Sequence, residues 1–368
     1  MDADMVVATK IKRFKRPPAL AGYTYPPKLA QEAASRGGLL AMRIETNNAC
    51  NFNCIYCNSA VENRRYSEMP LSTLKDAIAE GASLGCKSVV VIGGGEPTLY
   101  RHFKALVCYI NQKGMIPVVI TNASSLDLAM AQFLFDENAS ILFKLDSFKE
   151  KIQNRLSGNR ESYKLIMRGI KNLFSVGFNK DVDGVLRCGA SFVLTKFNYN
   201  EIVSLWKFCR DNNLFPNLEQ LILRGNALAY ASELIVDRDG IRKLKERLSA
   251  IDRYRYGYDW LVYSPLPGYG CLQHLYSIYV DSKGYIRPCA DIDIKLFNIR
   301  KMKIREILKT PFFLFVRNIG KHLQGRCAHC RHHALCVGCR GNAFNVGLQE
   351  GLDVYKALVR EDPLCWKE

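Results

Sequence analysis

The chain has 368 residues, of which 48% are hydrophobic and 24% are charged. This composition is typical of a globular protein with one large and one smaller domain, and no run of 18 apolar residues predicts a transmembrane helix. The formal charge of +17 would suit an anionic partner, but the basic residues are spread along the chain outside 10–16, so we do not expect nucleic acid to bind.

Residues 1–38 are basic and contain two proline pairs, so we predict an irregular N-terminal arm or cap without the apolar core of a secretion signal, in a cytoplasmic protein. From 39 to 255, apolar runs alternate with helical patterns. The predicted strands are 39–44, 88–93, 116–121, 141–146, 189–195 and 218–223. The predicted helices include 71–84, 102–113, 162–174, 200–212 and 237–255. This alternation predicts an α/β fold with a parallel sheet, and six units suit a partial (β/α)6 barrel with its functional residues at the C-terminal ends of the strands.

From residue 256 onwards the sequence is rich in aromatic residues, glycine and proline. A hairpin is predicted at 275–289, with its turn at 282–284. We therefore predict a domain boundary near residue 256, with the barrel over 39–255 and a small cysteine-rich α+β domain over 256–368.

The fourteen cysteines are too many for disulfides in the cytosol, and their grouping predicts metal ligation instead. Cys50, Cys54 and Cys57 follow the first predicted strand. A four-iron cluster held by three cysteines keeps one iron open for an external amino acid. A zinc site would want a fourth ligand close by, and the nearest histidine is His102. Four other cysteines lack ligand spacing, and we expect buried free thiols at Cys86, Cys108, Cys188 and Cys209.

The C-x3-C-x2-C motif, together with Gly93-Gly94-Gly95-Glu96-Pro97 after the second strand, resembles the radical SAM superfamily. That resemblance implies that Cys50, Cys54 and Cys57 hold a [4Fe–4S] cluster that binds S-adenosylmethionine (SAM). It also implies that Tyr56 lies near the adenine and that the glycines and Glu96 hold the methionine part. Further SAM contacts are expected at strand ends, where ordinary capping is the alternative: Asn122, Asp146, Ser147, Ser191 and Thr195.

The seven C-terminal cysteines include CxxC pairs that, with nearby histidines, could bind zinc. Their whole pattern resembles the SPASM domain, which carries two auxiliary [4Fe–4S] clusters. The resemblance assigns Cys271, Cys289 and Cys339 to the first cluster, and Cys327, Cys330, Cys336 and Cys365 to the second. Only two residues separate Cys336 from Cys339, where three are commoner. Some members of that family have a further upstream cysteine that completes the first auxiliary cluster. Residues 252–270 contain none, so the resemblance implies an open or non-cysteine position on that cluster, for substrate, water or a side chain such as Asp259.

The two resemblances imply an enzyme that cleaves SAM reductively to a 5′-deoxyadenosyl radical, removes a hydrogen atom from its substrate and completes an oxidation through the auxiliary clusters. A flavodoxin or ferredoxin would supply electrons. The substrate is expected to be a peptide or protein side chain, or a small polar metabolite such as a sugar or aminocyclitol. About 38 residues before the barrel are few for a leader-binding domain. The alternatives are a redox-neutral epimerase and a non-catalytic iron–sulfur or zinc protein, and the sequence identifies no catalytic acid or base.

Overall fold

The computed structural model describes residues 14–59, 66–180, 184–266 and 271–367. Within these ranges, the strands are β1 (Ala41–Glu45), β2 (Ser88–Ile92), β3 (Ile116–Thr121), β4 (Ser140–Lys144), β5 (Cys188–Val193), β6 (Phe215–Glu219), β7 (Ser277–Val280), β8 (Tyr285–Arg287) and β9 (Phe297–Asn298).

The described strands form one sheet in the order β6-β5-β4-β3-β2-β1-β7-β8-β9. Strands β1 to β6 are parallel neighbours, and because β1 pairs with β7 rather than β6, the barrel stays open. The predicted partial barrel is therefore confirmed. The predicted hairpin is present as the antiparallel pair β7 and β8, and it extends the barrel sheet across residue 256. The domain boundary itself stays a prediction.

The helices of the first part of the chain are α1 (Pro27–Ser35), α2 (Leu71–Ser83), α3 (Phe103–Gln112), α4 (Leu128–Asp136), α5 (Glu150–Ser157), α6 (Ser162–Ser175), α7 (Ile202–Asp211), α8 (Asn226–Ala229), α9 (Ala231–Leu234) and α10 (Arg238–Ile251). Those of the C-terminal part are α11 (Gln273–Tyr276), α12 (Ile304–Ile307), α13 (Pro311–Arg317), α14 (Arg326–His329), α15 (Arg340–Gln349) and α16 (Val354–Val359).

Two segments differ from the predicted elements. Helix α1 lies in the arm that was predicted to be irregular, and since Ala30 is its one buried residue, it has no apolar stripe to reveal it. It begins at Pro27, which is favourable at a first helical position. Strand β6 runs from Phe215 to Glu219, whereas 218–223 is predicted, and it can include Pro216 because it is an edge strand.

The two faces of the sheet have different neighbours. On β1, Met42 and Ile44 point to the outside and pack with Leu74 and Ile78 of α2 in the main hydrophobic core. The intervening Arg43 lines a cavity inside the barrel. This separation follows from the alternation of side chains along a strand.

The N-terminal end of the barrel is closed by the chain around Leu20 and Tyr23. Both side chains are buried among interior residues that include Val118 and Phe215. The Ser88 hydroxyl donates a hydrogen bond to the Gly22 carbonyl at 2.6 Å. This closure leaves the C-terminal strand ends as the site of the functional residues.

Candidate functional site

The cysteine loop that follows β1 is fixed by two neighbouring helices. The Asn53 amide donates to the Ser157 carbonyl at 3.0 Å, and the Asn226 side chain donates to the Cys54 carbonyl at 3.0 Å. Gly158 has a positive φ of 62°, and a Cβ there would lie 2.1 Å from the Asn53 carbonyl oxygen. Only glycine fits at that position, so the end of α5 is shaped to hold the loop.

The GGGEP motif packs directly on the cysteine loop. The Glu96 amide donates to the Ala49 carbonyl at 2.7 Å, immediately before Cys50. A Cβ on Gly95 would lie 1.9 Å from the same carbonyl oxygen. The two motifs that define the sequence resemblance are thus in contact, and Gly95 is needed for the approach of the protein's own backbone.

The Glu96 carboxylate is buried and bound by the neighbouring strand end. Its Oε1 accepts hydrogen bonds from the Thr98 amide, the Thr98 hydroxyl and the Thr121 hydroxyl, and its Oε2 accepts from the Asn122 amide at 2.8 Å. Burial raises the pKa of Glu96, and these donors oppose that effect. By lone-pair count, Oε2 can accept one more bond. A role for Glu96 in binding an ammonium group therefore stays a prediction that the geometry permits.

Tyr56 is held by the carboxylate of Asp146. The Tyr56 hydroxyl donates to Asp146 Oδ2 at 2.5 Å, while Asp146 Oδ1 accepts from the Val193 amide at 2.8 Å. Burial raises the pKa of Asp146, and the nearby Lys144 counteracts this shift. Asp146 therefore orients Tyr56, which is one of the residues lining the cavity.

Most of the other residues predicted to contact SAM form hydrogen bonds with other residues of the protein. Ser147 donates to Glu201 at 2.8 Å, and Thr195 donates to Asn198 at 2.9 Å. Ser191 accepts hydrogen bonds from Lys144 and Asn217, and Asn122 bonds to Asn51 and Ser124. These are the contacts of strand-end capping, and direct contact with SAM stays a prediction for all of them.

A cavity of about 310 Å³ lies between the cysteine loop and the C-terminal part of the chain. One wall includes Tyr56, Cys57 and Gly93. The opposite wall carries the three cysteines assigned to the first auxiliary cluster, namely Cys271, Cys289 and Cys339. The structure thus brings Cys57 of the barrel loop and the three cysteines assigned to the first auxiliary cluster to the same space.

Charged residues that the sequence analysis missed also line this cavity. Lys144 Nζ lies 3.1 Å from Glu219 Oε2, and the Asn58 side chain donates to Asp291 Oδ1 at 2.6 Å. Arg43 on β1 is a further charged residue of the lining. A signal was present, because strands of a parallel sheet are normally apolar on both faces and a charge inside one indicates a polar interior.

The two carboxylates near the first auxiliary site have different partners. Asp259, suggested from the sequence as a ligand, is half-exposed and forms an ion pair with Arg253. Asp291 is the carboxylate beside the predicted ligands, with Oδ2 3.7 Å from Cys289 Sγ. Asp291 is therefore a further candidate for the side chain that completes this site, and ligation by either carboxylate stays a prediction.

A second, smaller cavity is lined by Cys327, Cys330, Cys336 and Cys365, the four cysteines assigned to the second auxiliary cluster. Asp362 also lines it and accepts a hydrogen bond from the Cys339 amide at 2.9 Å. The partition inferred from the resemblance thus coincides with two separate cavities, although ligation itself stays a prediction.

The donor chemistry of both cavities suits iron–sulfur clusters. All fourteen cysteines are free thiols. Burial raises the pKa of Cys336 to about 12 and that of Cys289 well above its usual range. Such thiols stay protonated at neutral pH unless a metal stabilises the thiolate, so ligation would release protons. By contrast, Cys86, Cys188 and Cys209 are buried in the main core.

Lys245 of α10 is a buried cation close to the second cavity. Its Nζ donates to the carbonyls of Tyr263 and Ser264 and lies 5.6 Å from the centre of the Trp366 ring. Burial lowers the pKa of Lys245 to about 7, while Asp362 and the neighbouring thiolates oppose that shift. When protonated, Lys245 would compensate negative charge on the neighbouring cysteines once metal ligation makes them thiolates.

Comparison with known proteins agrees with this arrangement. Residues 44–209 match the family model of the radical SAM superfamily. This part of the chain is therefore a radical SAM domain. Residues 271–331 match SPASM, an iron–sulfur cluster-binding domain, which makes the protein a radical SAM enzyme with a C-terminal SPASM domain. Its cofactors are SAM, the SAM-binding [4Fe–4S] cluster and auxiliary [4Fe–4S] clusters.

Similar proteins include an AdoMet-dependent heme synthase of Oleidesulfovibrio alaskensis, 20% identical over 94% of this chain and 92% of the relative. The mycofactocin maturase MftC of Mycolicibacterium smegmatis is 24% identical over 83% of this chain and 79% of its own length. The crystal structure of Streptococcus suis SuiB with S-adenosylmethionine superposes with a TM-score of 0.68 at 19% identity, covering 90% of this chain and 78% of SuiB. At this identity, the likeness to SuiB shows the fold.

None of the helices in the described ranges is long and apolar enough to cross a membrane.

Proposed function

We propose that this enzyme oxidises a substrate bound in the cavity between the cysteine loop and the first auxiliary site. The observation that carries the proposal is the lining of that cavity. Tyr56 and Cys57 lie on one wall, and Cys271, Cys289 and Cys339 lie on the other. A substrate between them would be close both to the place where a radical is generated and to an electron acceptor.

Cys50, Cys54 and Cys57 would hold the cluster, which in its reduced state would supply the electron for the reductive cleavage of SAM. The chain's own residues prepare the site for this chemistry. Asp146 orients Tyr56 through a short hydrogen bond. The chain around Leu20 and Tyr23 closes the far end of the barrel and excludes water from that side. The protein thus positions the reactants and protects a reactive intermediate.

Oxidation agrees better with the cavity than a redox-neutral outcome. Removal of a hydrogen atom from substrate, followed by loss of one electron and one proton, is a two-electron oxidation. The electron would pass to the cluster held by Cys271, Cys289 and Cys339. An epimerase needs a thiol that returns a hydrogen atom, and the cysteines along the described cavity wall are all assigned as ligands, including Cys57.

The size of the cavity restricts the substrate class more than the fold does. SuiB has been solved with the precursor peptide SuiA, whereas the curated relatives include heme synthases. The cavity of about 310 Å³ would also hold the first auxiliary cluster, so the remaining space suits only a small group, such as one side chain of a peptide or a small polar metabolite. We therefore propose a substrate of either kind that enters from the C-terminal side of the barrel, with a flavodoxin or ferredoxin as the electron donor.

Anaerobic incubation of the reconstituted protein with SAM and dithionite tests this function. We expect 5′-deoxyadenosine and methionine to form, detected by mass spectrometry, with about twelve irons per chain by metal analysis. Zinc in place of iron, or no 5′-deoxyadenosine from iron-loaded protein, would support the non-catalytic alternative.

A further inference from the structure

Arg43 presents an unused pair of hydrogen-bond donors inside the cavity. Its side chain extends from the middle of β1 and is 5% exposed. Within the described part of the chain, its Nε and Nη2 atoms have no hydrogen-bond partner. These two nitrogens form one edge of the guanidinium, with their N–H bonds parallel. Leaving them unpaired in a buried site is unfavourable, because a desolvated cation needs compensating charge or hydrogen bonds.

The carboxylates of the cavity named above form hydrogen bonds with other residues, while the Cys271 and Cys289 thiols lie close enough to Arg43 to interact with its charge. Glu219 accepts from Lys144 and from the Asn217 amide group. Asp291 accepts from Asn58. On its other side Arg43 lies over the Tyr23 ring, 5.1 Å from the ring centre, so the closed end of the barrel supports the guanidinium from behind. The free edge is therefore the part of Arg43 available to a ligand in the cavity.

Two parallel N–H donors match the two oxygens of a carboxylate, and this bidentate pairing is among the strongest hydrogen-bonded interactions of arginine. We propose that Arg43 is a substrate-binding residue and that the substrate of this enzyme carries a carboxylate, which the Nε–Nη2 edge receives. This inference rests on the proposed function, because it places the ligand in the same cavity.

The methionine part of SAM also carries a carboxylate. The position of Arg43 indicates that the carboxylate it binds belongs to the substrate and not to SAM. Glu45, two residues further along β1, lies against Gly94, whose Cβ position is 2.8 Å from Glu45 Oε2. The glycine motif expected to hold the methionine part is therefore level with Glu45. Arg43 lies two residues before Glu45 on the same face of β1, deeper in the barrel and towards Tyr23. A substrate bound below SAM would place its anionic end there.

The test measures binding of a carboxylate probe to the holoenzyme. Equilibrium dialysis of reconstituted full-length protein, under anaerobic conditions and with saturating SAM, compares benzoate with its uncharged analogue benzamide. We expect benzoate to bind with at least tenfold lower Kd than benzamide. Arg43→Met and Arg43→Lys should each raise the benzoate Kd about tenfold or more and leave the benzamide Kd unchanged, because lysine keeps the charge but lacks the two-donor edge. The control is Arg101→Met, at an exposed arginine paired with Glu68.

Three results would overturn the inference: equal binding of the two probes to the wild type, an unchanged benzoate Kd in both Arg43 variants, or a raised Kd for SAM in place of benzoate. If the Arg43 variants altered the midpoint potential of an auxiliary cluster and left benzoate binding unchanged, the Nε and Nη2 donors would be assigned to cluster thiolates. That result would also contradict the inference. If Arg43→Met does not fold, Arg43→Lys and the wild-type probe comparison still decide. Formation of 5′-deoxyadenosine is measured on the same preparation, so a failure of the proposed function is recognised separately.

Discussion

The two cysteine-lined cavities of the C-terminal part differ in ligands and in neighbours. The first has three cysteines and adjoins Tyr56 and Cys57 of the barrel, in a cavity of about 310 Å³. The second has four cysteines and only residues of the chain beyond 263 along its wall. A site with three thiols and an adjoining space can contact a reactant, whereas a site with four has its ligands complete. The difference favours substrate contact at the first cavity and electron transfer at the second.

The largest expected effect is on SAM cleavage, which should depend on the cysteine loop of the barrel and not on the second cavity. Cys54→Ala should reduce 5′-deoxyadenosine formation to background, because the SAM-binding cluster loses one of its three ligands. The matched change Cys336→Ala should lower the iron content by about four per chain, with 5′-deoxyadenosine still formed. Quantitative mass spectrometry and metal analysis check both. Loss of SAM cleavage in Cys336→Ala alone would contradict the comparison.

A second change tests whether the contact between the two barrel motifs fixes the loop. Gly95→Ala places a methyl group against the Ala49 carbonyl, where no flexible side chain can give way. We expect a loss of about 3 kcal/mol in the free energy of unfolding and incomplete loading of the SAM-binding cluster, measured by denaturant titration and iron analysis. Gly320→Ala is the control, since its added Cβ would meet His333 at 3.7 Å, an ordinary contact. Equal stability of the two variants would refute the argument.

The smallest expected effect concerns the electrostatics of the second cavity. Lys245→Met removes a buried cation near Cys336 and Cys365, so the midpoint potential of the second auxiliary cluster should fall, on the order of tens of millivolts. Lys243→Met is the control on the same helix, where the side chain is exposed and paired with Asp239. Redox titration followed by EPR distinguishes them, and a rise in potential for Lys245→Met would be inconsistent with this role.

The sequence predicted the barrel and the cysteine motifs well because both depend on local pattern. Strand β3 has the predicted bounds, and the spacing of Cys50, Cys54 and Cys57 is visible in eight residues. The hairpin was predicted too, but its parallel pairing with β1 is a long-range contact that periodicity does not encode. Local patterns therefore located the elements, whereas their assembly into one sheet required the structure.

The residues of the cavity were harder to predict. Arg43, Lys144 and Asp291 come from distant parts of the chain and meet only in the folded protein. Asp259 and Asp291 are equally plausible in the sequence, and only the structure shows that one pairs with Arg253 while the other adjoins Cys289. The charges within β1 and β4 were the available signal, since a fully buried parallel strand rarely carries them without a function.

The most direct test of the central claim is pulsed ENDOR on the reduced enzyme with SAM labelled by ¹⁵N at the amino group and ¹⁷O at the carboxylate. If the cluster on Cys50, Cys54 and Cys57 has an iron without a protein ligand, both labels should show hyperfine coupling to it, and Cys54→Ala should abolish that coupling. A cluster with no coupling to either label in the presence of bound SAM would contradict the account.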